Sequence, residues 1–330
     1  MSSAQAIIER AFAPLQVSIE TGHIPGGVLG VVDANGNRAT RAAGLAQIVP
    51  HARTMAEDTW FDLASLTKVI FTTQRILAHA EAGRIDLDAA LVSVIPDLRQ
   101  YNSDAWERQI TFRECLAHQT PLPAVFPVYT YGTDPNLLRA FVLQHQWEAG
   151  PPVYSDINFI LLGIALERLE GCSIRQMDPG LGFAWSADPA QTAATEFDPW
   201  RNRVLVGEVH DENCFALQGS GHAGLFGSVD SVLHFAQGLL SGQIGSRLIR
   251  TPLSDRRTHG WERPFNGWSG GDFCSDDTIG HTGFTGTGLW IDFAKGRAWT
   301  LLTNRVHPSR HHASGIATLR RAVGDLVNQL

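Results

Sequence analysis

The segment Phe-Asp-Leu-Ala-Ser-Leu-Thr-Lys, residues 61–68, leads into the apolar run 69–71. On a helix, residues three apart share one face, with Cβ atoms about 5–6 Å apart, so Ser65 and Lys68 would point into the same space. A serine hydroxyl is a weak nucleophile until a base takes its proton, and a desolvated lysine can be that base. The spacing predicts a helix from Ser65 to about Gly83 that carries a nucleophile and its base, although an exposed helical face gives the same pattern.

The composition is that of an ordinary globular protein. The chain has 330 residues, 44% of them hydrophobic and 18% charged, and a formal net charge of −7. The basic pairs Arg256-Arg257 and Arg320-Arg321 are isolated, which argues against binding to nucleic acid or to anionic membranes. The longest apolar run, 159–166, is too short to span a membrane. Residues 1–12 lack the features of a signal peptide, so we expect a soluble, cytoplasmic protein of one large domain or two lobes.

The periodicity of apolar residues predicts strands near both ends of the chain and helices between them. The predicted helices cover 4–21, 156–170, 230–240 and 314–330, and the predicted strands cover 28–32, 288–293 and 298–303. Asn35-Gly36 and Lys295-Gly296 are typical of hairpin turns. The pattern predicts an α+β fold in which one antiparallel sheet is flanked by helices. Residues 1–83 and 215–330 would form an α/β sandwich lobe, and 84–214 a mostly helical lobe inserted into it, with a cleft between them.

A second candidate segment is Tyr154-Ser155-Asp156, which follows two prolines. Prolines impose an extended approach and a helix begins after them, so Tyr154 is predicted on a loop at a helix entrance. A phenol there can carry a proton between the serine and a leaving group if a nearby ammonium lowers its pKa. The same residues also fit an aromatic packing residue followed by a helix N-cap.

The third segment is His281-Thr282-Gly283, within the glycine-rich run 280–286. Glycines in a strand allow a ligand or another backbone to approach closely. An edge strand of this kind can offer a backbone N–H to an oxyanion, and the N–H of the nucleophile can be the second donor. A glycine-rich bend with a surface histidine is the alternative interpretation.

Two further patterns match a cofactor motif or a metal site in residue type but lack the structural context that either requires. Gly219-x-Gly221-x-x-Gly224 matches a dinucleotide fingerprint but lacks the preceding strand and the βαβ frame. His210 and His222 do not have the spacing of a helix-borne metal pair, so we expect hydrogen-bonded loop structure around the cleft instead. No metal and no cofactor are predicted.

Together and in this order, the three segments resemble the serine β-lactamase and penicillin-binding-protein superfamily. The likeness is greatest to its branch of class C β-lactamases, D-peptidases and family VIII carboxylesterases. It covers most of the chain and includes residues 61–64, 207–213, 221–226 and 302–308. The resemblance implies a β-lactamase/transpeptidase-like fold.

The resemblance also implies a role for each matching residue. Ser65 would be the nucleophile, Lys68 its base and Tyr154 the second proton carrier. Ser65 and Phe284 would give backbone N–H groups to the oxyanion hole. The substrate would be bound by Asp156, His281, Thr282 and Gly283. The cycle would be acylation of Ser65, departure of an alcohol or amine, and attack by water.

Two positions depart from the family pattern. Asp156 stands where the second motif often ends in asparagine, and a carboxylate near Lys68 favours the ammonium form. We therefore expect Tyr154 to carry more of the proton transfer. His281 stands where β-lactamases usually have lysine, and with a reference pKa of about 6.5 it is mostly neutral at pH 7 and a poor anchor for a carboxylate. Arg305 is a candidate for the missing positive charge.

The combined prediction is a serine hydrolase that works through a Ser65 acyl-enzyme, foremost a carboxylesterase on small esters. The segment after Gly171 is short, which would leave one wall of the cleft open to simple substrates. The alternatives are a D-amino-acid peptidase, an amidase or a weak β-lactamase with the same machinery, and a catalytically silent binding protein of the same fold. The predicted partner is a small-molecule ester, amide or peptide, and the oligomeric state is not predicted.

Overall fold

Strands from both ends of the chain form the antiparallel sheet that the sequence predicts. The structure is a computed structural model that describes residues 3–329. Its strands are β1 (Gly26–Asp33), β2 (Arg38–Gln47), β3 (Arg53–Thr54), β4 (Phe61–Asp62), β5 (Phe183–Ala184), β6 (Phe197–Asp198), β7 (Arg203–Val204), β8 (Phe226–Gly227), β9 (Thr278–Thr282), β10 (Thr287–Asp292) and β11 (Arg297–Thr303). Six of them pair in the order β3-β2-β1-β11-β10-β9, and every neighbouring pair is antiparallel.

Helices cover both faces of this sheet. The helices are α1 (Ser3–Ala11), α2 (Ala13–Glu20), α3 (Thr73–Glu81), α4 (Phe112–Ala117), α5 (Pro135–Gln144), α6 (Asp156–Glu170), α7 (Glu212–Ala216), α8 (Val229–Leu240) and α9 (Ile316–Asn328). Side chains alternate between the two faces of a strand. In β1, Val28 and Val32 join the core that includes α8, whereas Leu29 and Val31 join the core built with α1 and α9.

The predicted hairpins and most of the predicted helices are confirmed. β1 and β2 are joined by a turn in which Gly36 has φ of 85°, and β10 and β11 by a turn in which Gly296 has φ of 62°. The helix predicted over 4–21 is two helices, because Pro14 stands in the first turn of α2, where its missing N–H costs least. The helix predicted over 314–330 is α9, which ends at Asn328, and Leu330 lies outside the described residues.

The middle of the chain, residues 84–214, adds no strand to the six-stranded sheet within the described range. Helix α6 is its central element, and all ten residues from 157 to 166 are buried. A helix that is apolar on every side must be surrounded by protein. The boundaries of the two predicted lobes stay a prediction. No helix in residues 3–329 combines the length and apolarity that a membrane span requires.

Strand β9 lies at one edge of the sheet, and part of its outer side is covered. Glu262 forms an isolated antiparallel bridge with Gly280, in which each residue donates its N–H to the carbonyl of the other at 2.9 Å. The strand continues past this bridge to Thr282. The segment His281-Thr282-Gly283 therefore reaches the part of the edge that the bridge leaves open.

Candidate active site

The Ser65 segment leaves strand β4 through a strained turn. Ala64 has φ of 48°, in the left-handed region that costs a non-glycine residue about 1–3 kcal/mol. The Asp62 carboxylate supports the turn, since it accepts the Ala64 N–H at 2.8 Å and the His210 N–H at 2.6 Å. The Thr67 hydroxyl donates to the Ala64 carbonyl at 2.7 Å. Ser65 is therefore fixed at a junction between a strand and a helix.

The helix after Ser65 differs from the prediction in its first turn. A π-helix covers Lys68–Thr72, and α3 continues from Thr73 to Glu81, two residues before Gly83. Single π turns are rare and often lie at functional sites. The predicted contact is confirmed, because Lys68 Nζ lies 2.9 Å from Ser65 Oγ.

Lys68 Nζ donates two hydrogen bonds and forms one ion pair. Nζ donates to Ser65 Oγ and to the His222 carbonyl, each at 2.9 Å, and it pairs with Asp156 Oδ1 at 2.8 Å. The side chain is fully buried. Burial opposes the charge, but Asp156, with a smaller effect from Tyr154, raises the pKa of Lys68 above its ordinary value. The expectation that Asp156 favours the ammonium form is confirmed.

Tyr154 lies directly before the entrance of α6, as predicted. Its hydroxyl interacts with Ser65 and Lys68, and its ring lies between two other groups. The His118 ring is 4.4 Å away between centroids, and the Arg257 guanidinium is 5.3 Å from the Tyr154 centroid. Burial raises the pKa of Tyr154, and nearby Lys68 offsets only part of that rise. The condition that a nearby ammonium lowers the pKa of the phenol below its ordinary value is therefore not met, and Tyr154 is neutral at pH 7.

The third predicted segment lies at the end of β9. His281 is buried, and its Nδ1 donates to the Thr282 carbonyl at 3.0 Å. Its Nε2 then carries a lone pair, and this atom has no hydrogen-bond partner in residues 3–329. Burial, assisted by the charges of Lys68 and Arg257, holds the pKa of His281 well below its usual value. His281 is therefore neutral at pH 7, as expected, and offers an acceptor to a substrate.

The end of β9 and the start of the next turn approach the nucleophile closely. A Cβ added to Gly283 would lie 2.1 Å from Thr287 Oγ1 and 2.6 Å from the Leu63 carbonyl, so only glycine fits. Neither the Ser65 N–H nor the Phe284 N–H is hydrogen-bonded to another described residue. These two free N–H groups suit the predicted oxyanion hole.

One cavity of about 380 Å³ brings together all the predicted site residues except Lys68, which is fully buried and does not line it. It is lined by Ser65, Tyr154, Asp156, Arg257, Glu262, His281, Thr282, Gly283, Phe284, Arg305 and Arg320. Arg305 donates from Nε to the Phe284 carbonyl at 2.8 Å, and Arg257 pairs with Glu262 at 3.1 Å. A second cavity, of about 600 Å³, adjoins the first and shares Tyr154 and Arg257 with it.

Sequence reasoning missed four residues around this cavity, namely Arg257, Glu262, Arg320 and His118. Arg257 and Arg320 belong to the two isolated basic pairs, and the fold brings one member of each pair to the same site. Their pairing in the sequence is the one signal that could have drawn attention to them. His118, which packs on Tyr154, follows α4 and has φ of 53°. No local pattern in the sequence indicates its position.

Behind Lys68 lies a hydrogen-bond network that explains the loop histidine His222. Ser220 Oγ and His222 Nδ1 are 2.8 Å apart, as are His222 Nε2 and Asp211 Oδ1. These are the residue types of a catalytic triad, but both Ser220 and His222 are buried. Ligand atoms of Asp156, Asp211 and His222 also lie within 4.8 Å of one another, as in a metal site. The Lys68 ammonium is bound to Asp156 there, so an amine supplies the positive charge of this cluster.

Comparisons with known proteins agree with this geometry. A family model described as Beta-lactamase matches residues 8–323. The chain is 30% identical to an N-acetylmuramyl-L-alanine amidase of Bacillus subtilis, over 77% of this chain and 69% of the relative. It is 27% identical to an Escherichia coli protein described as a candidate D-alanyl-D-alanine carboxypeptidase, over 76% of this chain and 70% of the relative.

Solved structures share the fold over the whole chain. A beta-lactamase from Sulfitobacter sp. EE-36 superposes with a TM-score of 0.76 at 20% identity and full coverage of both chains. EstCE1, a hydrolase with promiscuous acyltransferase activity, superposes with a TM-score of 0.73 at 20% identity over 99% of each chain. The predicted β-lactamase/transpeptidase-like α+β fold is confirmed. The chain belongs to the beta-lactamase family, whose members are serine hydrolases.

Proposed function

We propose that this protein is a carboxylesterase that hydrolyses small esters through an acyl-enzyme on Ser65. The observation that carries the proposal is the chain of contacts from Ser65 Oγ through Lys68 Nζ to Asp156 Oδ1, at 2.9 and 2.8 Å, on the wall of a cavity. A hydroxyl within hydrogen-bond distance of a group that can move its proton is the arrangement that covalent catalysis requires.

In the acylation step, Ser65 Oγ attacks the carbonyl carbon of the ester. Because Lys68 is an ammonium, it accepts the serine proton only as it passes one of its own to Asp156. The carbonyl oxygen becomes an oxyanion, which the free N–H groups of Ser65 and Phe284 stabilise.

The tetrahedral intermediate then collapses. Tyr154 gives its phenolic proton to the departing alkoxide and recovers one from Lys68, which regains its proton from Asp156. Water then attacks the carbonyl carbon of the acyl-enzyme through the same series of proton transfers, and the acid is released from Ser65. One proton leaves with the alcohol and water replaces it, so each group recovers its starting protonation state and the residues present complete the cycle.

The neutral protonation state of His281 favours an ester substrate over a substrate that is bound through a carboxylate of its own. The residue is neutral and its free Nε2 is an acceptor, so it repels a carboxylate oxygen instead of binding it. Small neutral esters do not need that anchor, and a cavity of about 380 Å³ accommodates them.

A D-amino-acid peptidase or amidase is the second candidate function, and the arginines favour it. Arg257 and Arg305 line the cavity, and Arg257 Nη1 has no hydrogen-bond partner in residues 3–329. A guanidinium with a free donor can bind the terminal carboxylate of a peptide. The names of the Bacillus subtilis and Escherichia coli relatives point to the same substrate class.

The test is a substrate panel read by intact mass and by turnover. p-Nitrophenyl acetate, a D-alanyl-D-alanine peptide and nitrocefin would be compared, with Ser65→Ala as the control. We expect an acetyl adduct on Ser65 and the highest kcat/KM for the ester. A higher kcat/KM for the peptide would establish the second candidate, and the absence of any adduct on Ser65 would indicate a silent binding protein.

A further inference from the structure

Arg320, on helix α9, is a buried cation beside the predicted oxyanion hole. It is 8% exposed and lines the catalytic cavity. One amino group, Nη2, donates to the Gly283 carbonyl at 2.8 Å and to the Thr287 carbonyl at 2.7 Å. Within residues 3–329 no carboxylate lies within ion-pair distance of Arg320. Among the described residues, its hydrogen bonds are therefore made to backbone carbonyls alone.

The Gly283 carbonyl, the first of these two acceptors, is part of the peptide group that carries the predicted oxyanion donor. The C=O of Gly283 and the N–H of Phe284 belong to one planar peptide group. A cation that binds the carbonyl end polarises the group and makes the N–H end a stronger donor, since linked hydrogen bonds strengthen one another. Arg320 thus acts on the N–H that is predicted to receive the oxyanion.

The second carbonyl fixes the shape of the turn. Gly283 donates its N–H to the Thr287 carbonyl at 2.8 Å, and Thr287 Oγ1 donates to the Leu63 carbonyl at 3.0 Å. Arg320 therefore binds both ends of the turn 283–287 at once. Without the guanidinium, the turn would be less constrained, and the Phe284 N–H would no longer be held in a fixed position relative to Ser65.

A buried charge without a carboxylate is costly, so its retention needs a physical reason. Burial lowers the pKa of Arg320 to about 9, which still leaves the guanidinium protonated at pH 7. A fixed positive charge in a site that excludes water stabilises negative charge that develops nearby. The carbonyl oxygen of a bound substrate acquires such a charge during attack by Ser65.

We propose that Arg320 is a positioning residue of the oxyanion hole, which polarises the Gly283–Phe284 peptide group and holds the turn 283–287 against the nucleophile. The inference rests on the proposed Ser65 acyl-enzyme. Arg320 does not need to touch the substrate, and its effect is exerted through the Phe284 N–H.

The experiment compares Arg320→Gln with Arg321→Gln, the same change at the next residue of α9. Arg321 is exposed and pairs with Asp272, so it controls for the loss of one charge on that helix. Each variant is assayed with p-nitrophenyl acetate per active site, as titrated by acylation of Ser65. Phenylboronic acid, which forms a tetrahedral anion on an active serine, measures affinity for the charged state.

For Arg320→Gln we expect kcat/KM and boronate affinity to fall together by about 10- to 100-fold, below the loss of a whole oxyanion donor, with little change in KM. Arg320→Lys should recover most of both losses, because an ammonium keeps the charge and the donors. Arg321→Gln should match the wild type.

Wild-type kcat/KM and boronate affinity in Arg320→Gln would overturn the inference, even if the variant melts earlier. If Arg320→Gln does not fold, Arg320→Lys decides: its small remaining loss, about threefold, should appear equally in kcat/KM and in boronate affinity with KM unchanged, and a loss confined to KM would refute the role. If the wild-type protein is not acylated at all, the proposed function fails instead.

Discussion

The two walls of the cavity treat their polar groups in opposite ways. On the base wall, which comprises Ser65, Lys68 and Asp156, the Lys68 ammonium donates two hydrogen bonds and forms an ion pair with the Asp156 carboxylate. On the oxyanion wall, formed by Gly283 and Phe284, the Phe284 N–H has no partner among the described residues. The difference matches the two tasks proposed for these groups. The group that transfers protons is held by polar contacts before the reaction, whereas the donor for the oxyanion must be unbonded because the negative charge forms only during the reaction.

The largest effect is expected from breaking the base wall. Lys68→Met removes the group that moves the Ser65 proton, so kcat/KM for p-nitrophenyl acetate should fall by about 10³- to 10⁴-fold. Acylation of Ser65 should become undetectable by intact mass on the same timescale. Lys295→Met, at the exposed β10–β11 turn, is the matched control. Retention of more than a tenth of the activity in Lys68→Met would mean that another group activates the serine.

The next effect tests the group that joins the two walls. Tyr154→Phe should lower kcat/KM by about 10²- to 10³-fold for an ethyl ester and by only about tenfold for a p-nitrophenyl ester, because p-nitrophenolate leaves without a proton. Tyr129→Phe, whose ring packs on Trp200 at 4.9 Å, is the control phenol. Near-wild-type turnover of the activated ester would refute the hypothesis that Tyr154 carries more of the proton transfer. Equal losses on both esters would show that it does not protonate the leaving group.

A smaller effect should follow from disturbing the oxyanion wall. Gly283→Ala forces Thr287 and Leu63 away from the new methyl group, so we expect kcat to fall by about tenfold to 100-fold and the free energy of unfolding by about 1–3 kcal/mol. Gly171→Ala is the control for backbone strain, because Gly171 has φ of 69° and an added Cβ would contact no other atom there. That control should lose stability in thermal unfolding and keep its kcat. An unchanged kcat in Gly283→Ala would place the oxyanion elsewhere.

The smallest effect, and the sharpest test of the base wall, is a shift of the pH profile. Asp156 raises the pKa of Lys68, and in the proposed mechanism it also receives the proton that Lys68 releases. In Asp156→Asn, Lys68 must be unprotonated to act, so the acidic limb of kcat/KM should move to higher pH, with a loss of about tenfold at pH 7. A limb that moves to lower pH would show that Asp156 only stabilises an inactive ammonium. Asp178→Asn, at a site that does not contact Lys68, controls for the change of charge.

Local patterns in the sequence were sufficient for the sheet and for the contact between Ser65 and Lys68. The hairpins at Gly36 and Gly296 follow from turn chemistry, and α6 follows from its apolar pattern and the prolines before it. Ser65 and Lys68 are three residues apart, and the turn between them, in which the Lys68 N–H donates to the Ser65 carbonyl, brings their side chains together. The likeness to a known family supplied the contact of both with Tyr154.

The remaining parts of the site depend on tertiary structure. The pKa of Tyr154 rises because burial outweighs Lys68, and burial of one side chain is a property of the packed protein. His222 reaches Lys68 through a backbone carbonyl, which no residue type indicates. Arg257 and Arg320 reach the cavity from segments on either side of β9, β10 and β11, a long way apart in the chain. None of these contacts has a local signature.

The bridge between Glu262 and Gly280 sets a limit on how a peptide could lie against β9. Backbone groups of residues two apart face the same side of a strand, so Thr282 presents its polar groups on the side where Gly280 is already paired. An incoming chain that extends the sheet can therefore hydrogen-bond only beyond the bridge, next to the nucleophile. The bridge would thus limit the length of a bound peptide, since a longer peptide would meet the 262 segment before it could form another pair of backbone hydrogen bonds.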